Sequence, residues 1–117
     1  MTTLENDIPR SSASPRYVLG RHGQAFSTRA RAEQIRAEIE QLAAGAGDVL
    51  IDFEGVGSVS YSFADELVGV FASRYETDHG ALRPVVIGLT AQAQRVLLGS
   101  MEQRGISEEI SRQLVPH

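Results

Sequence analysis

An α/β domain, built on a mixed, mostly parallel β-sheet of about four strands with helices packed on it, is what this 117-residue chain predicts. Two short aliphatic runs bounded by turn residues, Asp48–Phe53 and Pro84–Gly88, have the make-up of buried strands. The stretches around them carry apolar residues at three- and four-residue steps, the stripe of an amphipathic helix. Buried strands that alternate with such helices call for parallel pairing and right-handed crossovers.

The elements follow in order. Residues 1–16 hold two prolines, several serines and only Leu4 and Ile8 as large aliphatics. Such a segment does not offset its ordering entropy by burial, so a disordered tail is expected there and a folded domain over 17–117. Tyr17–Leu19 and Gln24–Phe26 are short extended pieces separated by glycines. Ser27 or Thr28 caps a first helix whose stripe is Ala32, Ile35, Ile39 and Leu42. The central strand comes next, then a loop over Gly55–Ser60 with a brief extended piece at Val59. Ser62 is expected to cap the second helix, with Asp65 completing a capping box. Phe63, Leu67, Val70, Phe71 and Arg74 would share one face of that helix, and Asp65, Glu66, Gly69, Ser73 and Glu76 the other. After the strand at Pro84–Gly88, Thr90 caps a third helix with the stripe Ala93, Val96, Leu97, Ser100 and Met101. Ile106, Ile110 and Leu114 mark a short terminal helix.

Composition narrows the function. Hydrophobic residues make up 42% of the chain, and no apolar run approaches the roughly 20 residues that span a membrane. The N-terminus lacks the basic start and apolar stretch of a secretory signal, so a cytoplasmic protein is expected. There is no cysteine, hence no disulfide, thiolate metal site or thiol nucleophile. All eleven basic residues are arginine, which excludes Schiff-base chemistry and a phosphate loop ending in Gly-Lys-Ser/Thr. The net charge of −4 argues against nucleic acid as a partner. Arg29, Arg31 and Arg36 interleave with Glu33, Glu38 and Glu40, the pattern of a solvated mixed-charge face. The three histidines are scattered, and the glycines form no dinucleotide fingerprint, so neither a metal nor a cofactor is expected.

The run VLIDFEGVGSVSYSFADELVGVF resembles the signature of STAS-like domains, the domain type of anti-sigma-factor antagonists and of the cytosolic tails of sulfate transporters. It is most similar to a bacterial STAS-like family of uncharacterised function, in Asp52, Gly55, Val56, Ser60, Ser62, Phe63, Ala64, Asp65 and Glu66, and the likeness runs over about residues 17–106. The resemblance implies a sheet with helices on it and a protein-docking surface after the central strand. The implied partner is a serine-kinase-like ATPase that doubles as an anti-sigma factor, and phosphate on a serine at the helix start releases it. Laid on the antagonists' motif, Ser60 falls where they carry an aspartate, Tyr61 on their phospho-acceptor serine and Phe63 on their glycine. A tyrosine does not serve a serine kinase, so Ser62 or Ser60 would take the phosphate here.

The residues allow more than one reading. The expected docking set is Ser58, Ser60, Tyr61, Ser62, Asp65, Glu66, Gly69 and Ser73, with Asp52, Gly55 and Val56 as the structural motif beneath it. Ser62 is a cap, a phospho-acceptor, or both. Asp65 and Glu66 are partner contacts or acids that complement the helix dipole. Gly69 admits a partner's backbone or a neighbouring loop. Asp52 is expected to orient the Ser58–Ser62 segment. Three functions fit, in this order: a regulatory protein-binding module without catalysis; a nucleotide or small-molecule sensor with its ligand near the Ser60 loop and Thr90; and a small carboxylate enzyme using Asp52 and Asp65.

Overall fold

The computed structural model describes residues 14–116. Five strands form two parallel sheets rather than the single sheet of about four that was expected. Strands β1 (Arg16–Val18), β3 (Asp48–Asp52) and β5 (Arg83–Ile87) form the larger sheet, in the order β1-β3-β5. Strands β2 (Ala25–Phe26) and β4 (Ser58–Val59) form the smaller one. A 3₁₀ turn at Leu19–Arg21 separates β1 from β2, and a turn at residues 53–57 separates β3 from β4. Two chain segments thus run side by side, pair, break together and pair again.

The ordered chain reaches back beyond Tyr17. The Ser14 hydroxyl donates to Asp48 at 2.7 Å, the Pro15 carbonyl accepts from the Leu50 N–H at 2.8 Å, and β1 begins at Arg16. The tail expected over 1–16 therefore loses residues 14–16; its remainder lies outside the described residues. Pro84 is tolerated in β5 because β5 is an edge strand. The Arg83 N–H donates to Gly47, so alternate donors face β3 and the N–H missing from Pro84 falls on the outer edge.

Four helices complete the fold: α1 (Arg29–Leu42), α2 (residues 61–77), α3 (Ala91–Gln103) and α4 (Glu108–Leu114). Each begins at a hydroxyl that accepts a backbone N–H in its first turn: Thr28 from Arg31, Ser60 from Phe63, Thr90 from Ala93, Ser107 from Ile110. The cap of α2 is thus Ser60 and not Ser62. Strand β4 decides this. Its pairing carries the Ser60 N–H to the Phe26 carbonyl and the Ser60 Oγ to the Ser27 carbonyl, both at 2.9 Å, which turns the chain into the helix two residues early. The Gln92 side chain extends the small sheet, accepting from the Val59 N–H at 3.3 Å and donating to its carbonyl at 3.0 Å.

Right-handed crossovers through the order β1-β3-β5 put α1 and α2 on the same face of the larger sheet. The core lies there, formed by Tyr17, Val49, Ile51 and Val86 against Ile35, Ile39, Leu67 and Phe71. The α1 stripe ends differently from expectation. Ala43 is buried and Leu42 is 48% exposed, because Ile39 is followed on the inner face by the residue four positions on. No helix among the described residues is long and apolar enough to cross a membrane.

One close approach fixes where the strand ends meet. A Cβ on Gly20 would lie 2.2 Å from the Glu54 carbonyl oxygen, a backbone atom that cannot swing aside. Gly20→Ala is expected to destabilise the fold by about 2–3 kcal/mol, the scale of an overpacked core position. Urea unfolding checks this; a midpoint equal to that of the parent chain would contradict the packing described.

Candidate functional site

The second helix is not regular. Its first turn, Tyr61–Ala64, passes into a π-helical turn over Asp65–Gly69 and returns to α-helix over Val70–Thr77. The Val70 N–H reaches back to the Asp65 carbonyl, five residues away. Such turns insert one residue and shift every side chain upstream of them around the axis, and they are frequent at functional sites.

The inserted residue turns both acids inward. Asp65 is 7% exposed and every one of its acceptor directions is used. Oδ1 accepts from Arg104 Nε at 2.6 Å and from Ser100 Oγ at 2.7 Å; Oδ2 accepts from Arg104 Nη2 and from Arg29 Nη1, each at 3.0 Å. Glu66 accepts from Arg36 Nη1 at 2.8 Å and from Arg29 Nη1 at 3.3 Å. Arg36 Nη1 also donates to the Glu66 main-chain carbonyl, inside the turn where ordinary helical pairing is displaced. The Arg104 guanidinium, aided by Ser100 and Arg29, holds the Asp65 carboxyl far below the usual carboxylate range against the opposing pull of burial. Arg36, and after it Arg29, outweigh burial to lower the Glu66 carboxyl as well.

These contacts correct several expectations. Asp65 does not complete a capping box. It is a buried bridge from α2 to α1 and α3, while Glu66 is tied to α1 alone. Arg36 is not part of a solvated face, since its side chain lies against Glu66 with both 16% exposed. Gly69 faces inward rather than toward a partner. A Cβ there would lie 2.8 Å from Arg104 Nε, 2.8 Å from Ser100 Oγ and 2.9 Å from Asp65 Oδ1, so glycine makes room for the clamp. Ser73 is half-buried and accepts from Arg104 Nη1 at 3.1 Å. Asp52 is buried but does not reach Ser58–Ser62. It accepts from the Glu54 N–H at 2.8 Å and pairs with Arg16, whose guanidinium, together with that N–H, outweighs burial to lower its carboxyl. Val56 is buried, and Gly55 is exposed in the turn beyond Asp52.

What remains at the surface is the rim before the clamp. Ser58 is exposed, Tyr61 is 42% exposed, and Ser60 and Ser62 are half-buried. Ser60 is committed to the cap and to Ser27, whereas the Ser62 hydroxyl has no hydrogen-bond partner among the described residues. A shallow depression lies nearby at the carboxyl ends of β3 and β5, lined by Glu54, Gly55, Val56, Gly57, Gly88, Leu89 and Thr90. Among the described residues, no group of three or more His, Asp or Glu side chains is placed to hold a metal ion.

Sequence reasoning did not find Arg104 and Ser100 as partners of Asp65. One signal was present, a serine in the middle of the apolar α3 stripe.

The segment that carries the second half of the crossover, the rim and the π turn is also the part related to other proteins. Residues 31–79 match the family described as a STAS-like domain of unknown function (DUF4325). Over these residues the chain is similar to that family. No curated protein and no solved structure matches it. Within the STAS-like segment fall Arg36, Asp65, Glu66 and Gly69, while Arg29, Ser100 and Arg104 reach it from outside.

Because folded Asp65 keeps its charge where an unfolded aspartate takes a proton, near pH 3.9, acid favours unfolding. The stability this group contributes is complete above about pH 4 and is lost as pH falls further toward its depressed value. Asp65→Asn is expected to cost about 3 kcal/mol at pH 7, by leaving Arg104 without its partner, and to flatten the fall in stability below pH 4. Urea midpoints between pH 7 and pH 2 check both; parallel curves for the two proteins would contradict the clamp. Gly69→Ala gains about 1 kcal/mol of helix propensity yet is expected to be net destabilising, because the methyl group displaces Asp65 from Arg104 and Ser100. A raised melting temperature would show that the clamp yields freely.

Proposed function

We propose that this STAS-like chain is a cytoplasmic regulatory module that binds a protein partner through the rim at Ser58, Tyr61 and Ser62, without catalysing a reaction. One observation carries the reading. Tyr61 is a large exposed side chain on a rigid support, since the Ser60 cap and the π-turn clamp immobilise the backbone on both sides of it. A fixed, exposed aromatic with polar neighbours is the kind of residue that anchors protein interfaces. The partner class suggested by the resemblance to anti-sigma-factor antagonists is a serine-kinase-like ATPase. A phosphoryl group on Ser62 would place roughly two negative charges beside Tyr61 and expel such a partner. Ser60 is the poorer acceptor, because phosphate there would first break the cap.

The clamp also supports a non-catalytic reading. Asp52 and Asp65, the residues a carboxylate enzyme would use, are each engaged by arginine and further donors, and both are held ionised. A general acid needs a raised value instead.

A second reading, a nucleotide or small-molecule sensor, draws on the depression beside Thr90. Parallel α/β sheets take ligands at the carboxyl ends of their strands.

Three measurements decide between them. Tyr61→Ala and Ser62→Asp are expected to abolish co-purification with a serine-kinase-like ATPase from the same cells while leaving the melting temperature within about 2 °C, as for surface changes. Mass spectrometry of the 58–76 peptide after incubation with that protein and ATP is expected to show phosphate on Ser62. Retained binding by both variants would overturn the reading. A melting temperature that rises with nucleotide concentration in the isolated chain would favour the sensor.

A further inference from the structure

Guanidinium groups outnumber carboxylates at the π turn. Asp65 and Glu66 face Arg29, Arg36 and Arg104, so the cluster carries one positive charge in excess, in a chain whose net charge is −4. The surplus falls on Arg29. Arg104 is the nearest cation to Asp65, at 2.6 Å, and Arg36 the nearest to Glu66, at 2.8 Å. Arg29 is the third and the most open, its side chain 47% exposed against 29% for Arg104. Glu33, one turn along α1, forms no ion pair with it.

The binding capacity of Arg29 is only partly used. Both of its bonds leave from one nitrogen, Nη1, which donates to Asp65 Oδ2 at 3.0 Å and to Glu66 Oε1 at 3.3 Å. Nε and Nη2, side by side along one edge of the guanidinium, have no hydrogen-bond partner among the described residues. Arg104 grips Asp65 with that same edge, Nε on one carboxylate oxygen at 2.6 Å and Nη2 on the other at 3.0 Å. A planar fork of this kind fits a carboxylate through two parallel bonds. Arg29 also lies beside the rim. The Asp65 N–H donates to the Tyr61 carbonyl, so Tyr61 stands one helical turn before Asp65 on the same side, and Ser62 stands likewise before Glu66. The bond from Ser60 Oγ to the Ser27 carbonyl holds the start of α1 alongside.

We propose that Arg29 belongs to the docking surface and that a protein partner meets its free edge with a carboxylate, from an aspartate or glutamate placed beside the group that packs on Tyr61. The inference rests on the reading of the rim as a protein-binding surface, and it names the partner's chemistry. Charge complementarity selects this occupant. With one more carboxylate the cluster balances, three charges of each sign. A nucleic acid or an anionic membrane needs a run of basic residues instead, and either would be repelled by a chain of net charge −4. An exposed tyrosine beside an exposed arginine is also the residue pair that most often anchors protein interfaces. Arg29 thus departs from the solvated face expected of it, because Arg104 and Arg36 already hold the two acids and leave its edge available.

A random peptide library displayed on phage supplies the probe. Panned on the full-length chain, with the Tyr61→Ala chain in excess as a soluble competitor, it is expected to return peptides that share an Asp or Glu. A synthetic copy of one such peptide is expected to bind Arg29→Gln at least about tenfold more weakly than the parent chain. Changing the peptide's acid to its amide is expected to lose as much on the parent chain and nothing further on Arg29→Gln, because both changes remove one contact. This non-additivity separates docking from a structural role: if Arg29 served the clamp alone, the peptide's acid would keep its full value on the variant. Should Arg29→Gln not fold, Arg29→Lys, which keeps the charge but not the fork, carries the same cycle. Tyr61-dependent peptides without a shared acid, or two additive losses, would overturn this inference and leave the rim reading standing. Recovery of no Tyr61-dependent peptide would overturn both.

Discussion

The carboxylate of Asp65 is the point at which three helices are joined. Its two oxygens accept from α1, through Arg29, and from α3, through Ser100 and Arg104. A buried charge is costly unless paired and fully hydrogen-bonded. Here the pairing also selects a geometry. A regular α-helix from Tyr61 onward would carry Asp65 around the axis relative to Leu67 and Phe71, which the core requires on the inner side. The π turn reconciles the two demands, and Gly69 supplies the space in which the guanidinium lies.

The same constraint explains why the surface is where it is. Upstream of the π turn the chain is fixed from the other side by β4, the Ser60 cap and the Gln92 amide that continues the small sheet. The first turn of α2 has little freedom, and Tyr61 projects from it by default. What this part of the domain leaves at the surface is a short, rigid rim, while the acidic helix behind it belongs to the core.

Much of the fold was legible in the sequence, because its signals are local. Thr28, Thr90 and the apolar steps behind them mark α1 and α3, and the β-branched run at Asp48–Phe53 marks the central strand. Apart from the end of the α1 stripe, where Ala43 and not Leu42 turns inward, the errors concern partners distant along the chain. Two serines stand two residues apart at the start of α2, and only the pairing of β4 with β2 decides that Ser60 is the cap. Asp65 three residues after Ser62 imitates a capping box, while its true partners lie 36 residues before it and 39 after. Gly69 was readable as a place of close approach, though not as one made for a guanidinium. Of the expected docking residues, Ser58, Tyr61 and Ser62 remain reachable, whereas Asp65 and Gly69 are enclosed.

The sheet registers have a kinetic consequence. Arg16 pairs with Leu50, Ala25 with Ser58 and Asp48 with Arg83, partners 33 to 35 residues apart. No two strands of the described chain are joined by a hairpin, so no pair can zip from a tight turn. Every strand contact must await closure of a loop that contains a whole helix, and that entropy is lost before the sheet returns anything. Such a chain belongs among the slower folders of its size. Its rate-limiting ensemble requires α1 or α2 already lying across the nascent β3, so substitutions at Ile39 or Leu67 should slow refolding more than they hasten unfolding.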